Sequence, residues 1–245
     1  MEYVSLEGLR LDGRRPKETR QMRCAMGVLP AADGSAEFRA GNTRVMCAVH
    51  GPRECVNRGE RDDERAIIKC EFSQAAFSTG ERRARGKGDR RSVELALVIR
   101  QALEATVLVH LAPRSEINVM IQVLQADGGV RAAAINAAVL AIANAGIPMK
   151  DTMAACSAGY LDGTPLLDLN YVEEGGGGVR VHVATHASRG DKVVVVQTDN
   201  KASVEVFEPV HALAVEGCAV VQKVMREAMI EHTSILATLR GREAL

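Results

Sequence analysis

Val123-Leu124-Gln125-Ala126-Asp127-Gly128-Gly129-Val130-Arg131 is followed by an alanine-rich run that ends at Gly146. Upstream, Ile117 to Leu124 is apolar and β-branched with no Gly or Pro, which predicts a strand. Gly128-Gly129 breaks it, because glycine alone takes positive φ or close backbone approach without steric cost. Ala132 to Ala145 holds almost only Ala, Ile, Leu, Val and Asn and predicts a helix. Gly146 fits the residue just past a helix end, and Pro148 prevents continuation. A strand–glycine–helix turn presents free backbone N–H groups at a helix N-terminus, here beside the Arg131 guanidinium, and that combination can hold an anion. Such turns are also common as plain packing elements, and an arginine in a first turn is often only solvated. On these residues alone both readings stay open.

Around this stretch, 245 residues bound the chain to one large domain or two fused halves. A 47% hydrophobic, 25% charged composition is that of a globular protein with a sizeable core. Formal net charge is zero, so any nucleic-acid site must come from local clustering. Aromatics are 3% with no Trp, which argues against a base-stacking platform of the RRM or OB kind. No long apolar run predicts a membrane span, and no secretory signal is visible. Cysteines 24, 47, 55, 70, 156 and 218 form no close pair, which points to reduced thiols in an intracellular protein. His182 and His186 share one strand face without a third ligand, so no metal site is expected.

The remaining elements follow in order. Leu11-Asp12-Gly13-Arg14-Arg15-Pro16 reads as a charged turn with solvated arginines. A β-meander is expected from Val28-Leu29, Ala36 to Arg39 and Val45 to Val49, then a charged loop and a strand over Ala66 to Phe72. Residues 80–91 are rich in cations, among them Arg82, Arg83, Arg90 and Arg91, and suit either a polyanion backbone or solvent. A helix starts at Asp89 or Ser92, carries Ile99, Leu103, Val107 and Leu111 as one stripe, and stops at Ala112-Pro113. A second β region spans Cys156 to Glu174. Within it Asp168 interrupts an apolar run, which is costly unless the carboxylate is paired or used. Four glycines, a hairpin over Val179 to Ala187 and Lys192 to Thr198, and a helix over about 208–240 with Pro209 in its first turn complete the chain. The expected fold class is α/β (α+β): two related meander-plus-helix halves and a long C-terminal helix.

In this order the pieces resemble the RNase PH family. The resemblance rests on Leu11-Asp12-Gly13-Arg14, Ala32-Asp33-Gly34-Ser35-Ala36, Gly51-Pro52-Arg53-Glu54, Pro113-Arg114-Ser115, the glycine-loop stretch, Ala145-Gly146-Ile147-Pro148-Met149 and Leu167-Asp168-Leu169-Asn170. Phe77 to Arg82 and Asp89 to Ser92 look more like the exosome branch, within it the ring subunit whose archaeal form carries the active site. The resemblance implies a ribosomal-protein-S5-like fold over residues 1–245 as one RNase PH-like domain. It implies pairing with a second RNase PH-like subunit in a six-membered hetero-oligomeric ring that threads RNA 3′ end first. S1/KH-type cap subunits and a separate nuclease are the further expected partners, with no membrane. The compartments implied are nucleus, nucleolus and cytoplasm for a eukaryotic chain and cytoplasm for an archaeal one.

The family chemistry is phosphorolysis, with inorganic phosphate as co-substrate. Carried over by position, Gly129, Val130 and Arg131 would cradle the phosphate. Asp168 would act on the leaving 3′ oxygen, as general acid or through an ion such as Mg2+, with Glu174 as the second acidic group. Arg90, Arg91, Arg82 and Arg83 would hold RNA phosphates. Two positions depart from the pattern. Active members usually have Ser or Thr where Val130 stands, and the second acidic residue, Glu174 here, is usually Asp in the archaeal form. The leading expectation is an RNA-threading exosome subunit with weak or no phosphorolysis. The alternative is an active 3′→5′ exoribonuclease releasing nucleoside diphosphates. A small-metabolite phosphotransferase ranks last, because no G-K-[ST] follows the glycines.

Overall fold

Residues 3–5, 7–57, 59, 61–82, 89–188, 192–239 and 241 are described by a computed structural model. Two sheets divide the strands. The first comprises β1 (Met22–Met26), β2 (Gly34–Ala40), β3 (Thr43–Glu54), β4 (Ile67–Gln74) and β5 (Ser115–Gln125), in the spatial order β1-β2-β3-β5-β4. Its pairs are antiparallel except β4 with β5, which run parallel because helix α1 (Arg90–Thr106) lies between them in sequence. The second sheet has the order β7-β6-β8-β9, with β6 (Met153–Leu161), β7 (Thr164–Leu167), β8 (Val179–His186) and β9 (Val193–Thr198), all antiparallel.

Helix α2 (Val130–Asn144) packs on β2 and β3 of the first sheet and on β6 of the second. Its residues 132–142 are all buried, and this explains the composition. A helix enclosed on every side needs no polar face, and small side chains let both sheets approach it. Nearly all of β6 is buried as well. Side chains alternate faces along a strand, so β6 is covered on both sides. Helix α4 (Val204–Leu239) packs against β6, β8 and β1. One cluster of buried side chains runs from Phe38 and Ile121 through Leu140 to Met153 and Met225, joining the two sheets through α2.

Four local readings are corrected. The first strand is β1, not Val28-Leu29. Met22 to Met26 has no β-branched residue, and its pairing with β2 decides the matter. Helix α1 ends at Thr106, short of Leu111. Val107 is extended, bridges Met149, and is followed by a short 3-10 turn at Val109–Leu111. Tyr171–Glu174 is a helical turn, α3, closed by a reciprocal capping box between Asn170 and Glu173. Helix α4 begins at Val204, so Pro209 lies beyond its first turn, and Glu205, four residues earlier, whose carbonyl loses its helical N–H partner, is exposed.

Candidate active site

The glycine pair behaves as its sequence demands. Gly128 (φ +76°) and Gly129 (φ +66°) are both left-handed, and a Cβ on Gly128 would collide with the Leu169 carbonyl oxygen. Gly129 is the N-cap of α2, and its N–H donates to Glu174 Oε1 at 2.7 Å. A carboxylate of the chain itself therefore occupies the first loop amide, at the positive end of the helix. The other first-turn amides have no acceptor within the helix.

Asp168 lies on the other side of Gly129. Its Oδ1 would be 3.5 Å from a Cβ placed there. The residue is 5% exposed and holds φ +54°, a left-handed conformation uncommon for a non-glycine residue. Both carboxylate oxygens are engaged by Arg20. Its backbone N and Nε donate to Oδ2, each at 2.9 Å, and its Nη2 donates to Oδ1 at 2.7 Å. Burial alone would raise the Asp168 carboxyl, but the Arg20 hydrogen bonds and charge, with Arg14 beyond, hold it below the ordinary carboxylate range. Asp168 is thus held in its ionised form, with both oxygens turned toward Arg20.

Arg20 also donates to the Asp127 carbonyl through Nη1 and to the Gly128 carbonyl through Nη2 at 3.2 Å. Thr43 Oγ1 donates to the same Gly128 carbonyl at 2.6 Å and accepts from Asp127 N at 3.1 Å. Arg20 and Thr43 so fix the loop backbone. Arg10 and Arg14 continue this work. Arg10 is 3% exposed, pairs with Glu173 through Nε (2.8 Å) and Nη2 (2.5 Å), and donates to the carbonyls of Leu167 and Asp168. Arg14 Nη1 donates to the Asp168 carbonyl at 3.0 Å. The expected solvated arginines of the first turn are therefore corrected for Arg14, whose side chain is 11% exposed, while Arg15 is exposed. A contact between residues about 150 apart leaves no mark on either stretch of sequence.

Arg131 Nη1 is 2.9 Å from Asp199 Oδ1, an ion pair without hydrogen-bond alignment. Arg180 Nη2 and His182 Nε2 approach the other oxygen, Oδ2, at 3.6 and 3.8 Å. His182 foremost, with Arg131 and Arg180, outweighs burial and brings the Asp199 carboxyl down to about 2. These groups line one cleft together with Val130, Glu174 and Arg91.

Of the residues singled out in the sequence, Gly129, Val130, Arg131, Asp168 and Glu174 are thus gathered around one loop. Arg91 reaches the same cleft from the start of α1. Arg90 and Arg82 are exposed and do not line it, and Arg83 lies outside the described residues. Among the described residues no group of three or more His, Cys, Asp or Glu could hold a metal ion. Nor does the carboxylate pair suit Mg2+: Arg20 takes both oxygens of Asp168, and Gly129 N takes one of Glu174. The structure adds Arg10, Arg20, Arg180 and Asp199, which sequence reasoning missed.

The 3′ exoribonuclease family model matches the chain in two parts, domain 1 over residues 18–148 and domain 2 over residues 151–217. The chain belongs to this RNase PH family. RNase PH relatives extend over nearly its full length. It is 55% identical over 242 residues to an exosome complex component RRP41 homolog of Arabidopsis thaliana, covering 98% of this chain and 100% of that one. It is 42% identical over 244 residues to exosome complex component Rrp41 of Thermococcus kodakarensis, covering 99% and 97%. Among solved structures, rice Rrp46 matches with a TM-score of 0.79 at 27% identity, over 90% of this chain and 100% of that one. An Archaeoglobus fulgidus exosome with RNA bound to the active site matches with a TM-score of 0.76 at 21% identity, over 89% and 92%, a likeness of fold. The mixed α+β architecture with two sheets and a C-terminal helix is thus the RNase PH architecture. No helix among the described residues is long and apolar enough to cross a membrane.

Proposed function

We propose that the protein is a core ring subunit of an RNA exosome, threading RNA for 3′→5′ degradation, with a phosphate loop that binds its anion but turns over slowly. The exosome assignment draws on the RRP41 relatives. The observation that carries the slow turnover is the loop itself: Val130 offers no hydroxyl, and Glu174 already takes the Gly129 amide.

In phosphorolysis the phosphate oxygen attacks the terminal phosphodiester, a new P–O bond forms as the bond to the 3′ oxygen breaks, and a nucleoside diphosphate leaves. The attacking phosphate must be held in line while charge shifts to the leaving oxygen. Arg131 and the loop amides supply the holding. Asp168 serves through Arg20 as a positioning residue for the loop. A single preorganised donor is worth about 10²- to 10³-fold in rate, so the missing hydroxyl leaves a slow site rather than a dead one. A ring with a slow site needs a separate nuclease, and the second RNase PH-like subunit and S1/KH-type caps complete it. Such a ring works where transcripts are made and turned over, in nucleus and cytoplasm.

The test is to incubate the assembled ring with 3′-hydroxyl RNA, with and without inorganic phosphate, and to assay nucleoside diphosphates. Slow phosphate-dependent release, accelerated at least tenfold by Val130→Thr, is expected. Rapid release by the unmodified protein would establish full activity instead, the reading that Arg131 in the cleft favours. An RNA-free ring would remove the threading role.

A further inference from the structure

Beside the glycine loop lie buried polar atoms with no hydrogen-bond partner. His182 on β8 is 7% exposed, and its Nδ1 makes no hydrogen bond. Ser157 on β6 is its cross-strand neighbour, is 2% exposed, and its Oγ is likewise unpartnered. That hydroxyl is 3.4 Å from where a Gly129 Cβ would stand. Arg180, two residues before His182 and on the same strand face, leaves Nε unpartnered. Buried polar atoms of a native protein are nearly always satisfied, so a cluster of orphans beside an anion loop marks a place where a polar ligand completes the set.

Charge points to the sign of that ligand. Arg131 and Arg180 share the single carboxylate of Asp199, with the His182 imidazole beside it. Two guanidiniums on one carboxylate leave a surplus positive charge, and an arginine fork suits phosphate oxygens. The facing wall sets Asp89 and Glu94, at the start of α1, against Arg91, so the surplus is local to the Arg131–Arg180 pair rather than a property of the whole cleft.

We propose that Arg180 and His182 form, with Arg131, a second limb of the phosphate site that binds the attacking inorganic phosphate. Phosphate displaces Asp199 from the arginines and takes over its contacts. This rests on the phosphorolytic reading of the loop and extends it to two residues of β8.

The experiment is calorimetric titration of inorganic phosphate into the full chain, co-purified with its RNase PH-like partner. A lost charge-assisted hydrogen bond weakens binding by about 10- to 100-fold, the effect expected for Arg180→Gln. His182→Leu should weaken it on the order of threefold to tenfold, and Arg180→Lys should restore part of the loss, a result that also controls for folding. Asp199→Asn should strengthen phosphate binding, whereas a purely structural ion cluster would be weakened by that change. Unchanged affinity in Arg180→Gln and His182→Leu, with binding abolished by Arg131→Ala, would overturn the β8 limb and leave the loop reading intact. So would a loss confined to the affinity for a 3′-hydroxyl oligonucleotide, or weaker binding in Asp199→Asn. If the unmodified protein takes up no phosphate at millimolar concentration, the loop reading itself falls, and the limb with it.

Discussion

Glu174 on the Gly129 amide makes the loop compete with its own chain. Replacing it by Gln keeps an acceptor for that N–H and removes a charge from the path of the phosphate. Glu174→Gln should tighten inorganic phosphate binding on the order of threefold to tenfold, a modest gain because the site is open to solvent screening. Calorimetry checks this, and weaker binding would show that the carboxylate organises the loop rather than blocking it. Asp168 yields a second expectation. Its folded-state carboxyl is held below the ordinary value, so its stabilisation is present above pH about 4 and is lost as pH falls through the lower folded-state value. Asp199, at about 2, loses its share over the same acid range. Asp168→Asn should lower the urea midpoint at pH 7 and flatten its decline between pH 4 and 2; parallel acid curves for the two proteins would contradict the ionised pair. At this scale the loop residues could be read from sequence because Gly-Gly, Arg131 and the run after them carry local signals. Arg20 and Arg10 could not, because their partners lie near residue 170 and nothing in an arginine's own neighbourhood reveals a distant carboxylate. His182 drew notice only as a metal ligand, since its strand periodicity pairs it with His186 and hides the cross-strand Ser157.

Among the elements, α2 carries the molecule. Its buried Asn136 explains how β6 survives beyond the end of β7, which pairs only from Ala158 onward. The Asn136 amide donates to the Ala155 carbonyl at 2.9 Å, and its oxygen accepts from Ala155 N at 2.7 Å. One side chain thus finishes a strand edge. Asn136→Leu would leave two buried backbone groups unsatisfied, at about 1–3 kcal/mol each, and should lower stability by about 2–6 kcal/mol in urea titrations. A change under about 0.5 kcal/mol would mean that water fills the place. The major helices and the inner strands were legible because their patterns are long and regular. Element ends were not. Val107 continues the helical stripe of α1 in sequence, yet its bridge to Met149 draws it into extended backbone. Met22 to Met26 has no strand composition at all and is a strand because β2 lies alongside it.

For the whole molecule, zero net charge confines RNA binding to local features, and the start of α1 supplies one. Changing Arg90 and Arg91 together to Ala should weaken RNA binding by the assembled ring. Each lost phosphate contact lowers the slope of log affinity against log salt by about one unit, so the slope should fall by up to about two. An unchanged slope would take these residues out of the RNA path. The N-terminal segment has a different kind of consequence. The family match begins at residue 18, yet Arg10 and Arg14 precede it and clamp Leu167 to Glu173. The side chains of Arg10 and Glu173 are both fully buried. An expression boundary placed at the start of the matched region would strand the Glu173 carboxylate without its partner, a loss of about 3–5 kcal/mol. A protein trimmed to its recognisable domains would then fail in the tube for want of seventeen residues that lie outside the matched region.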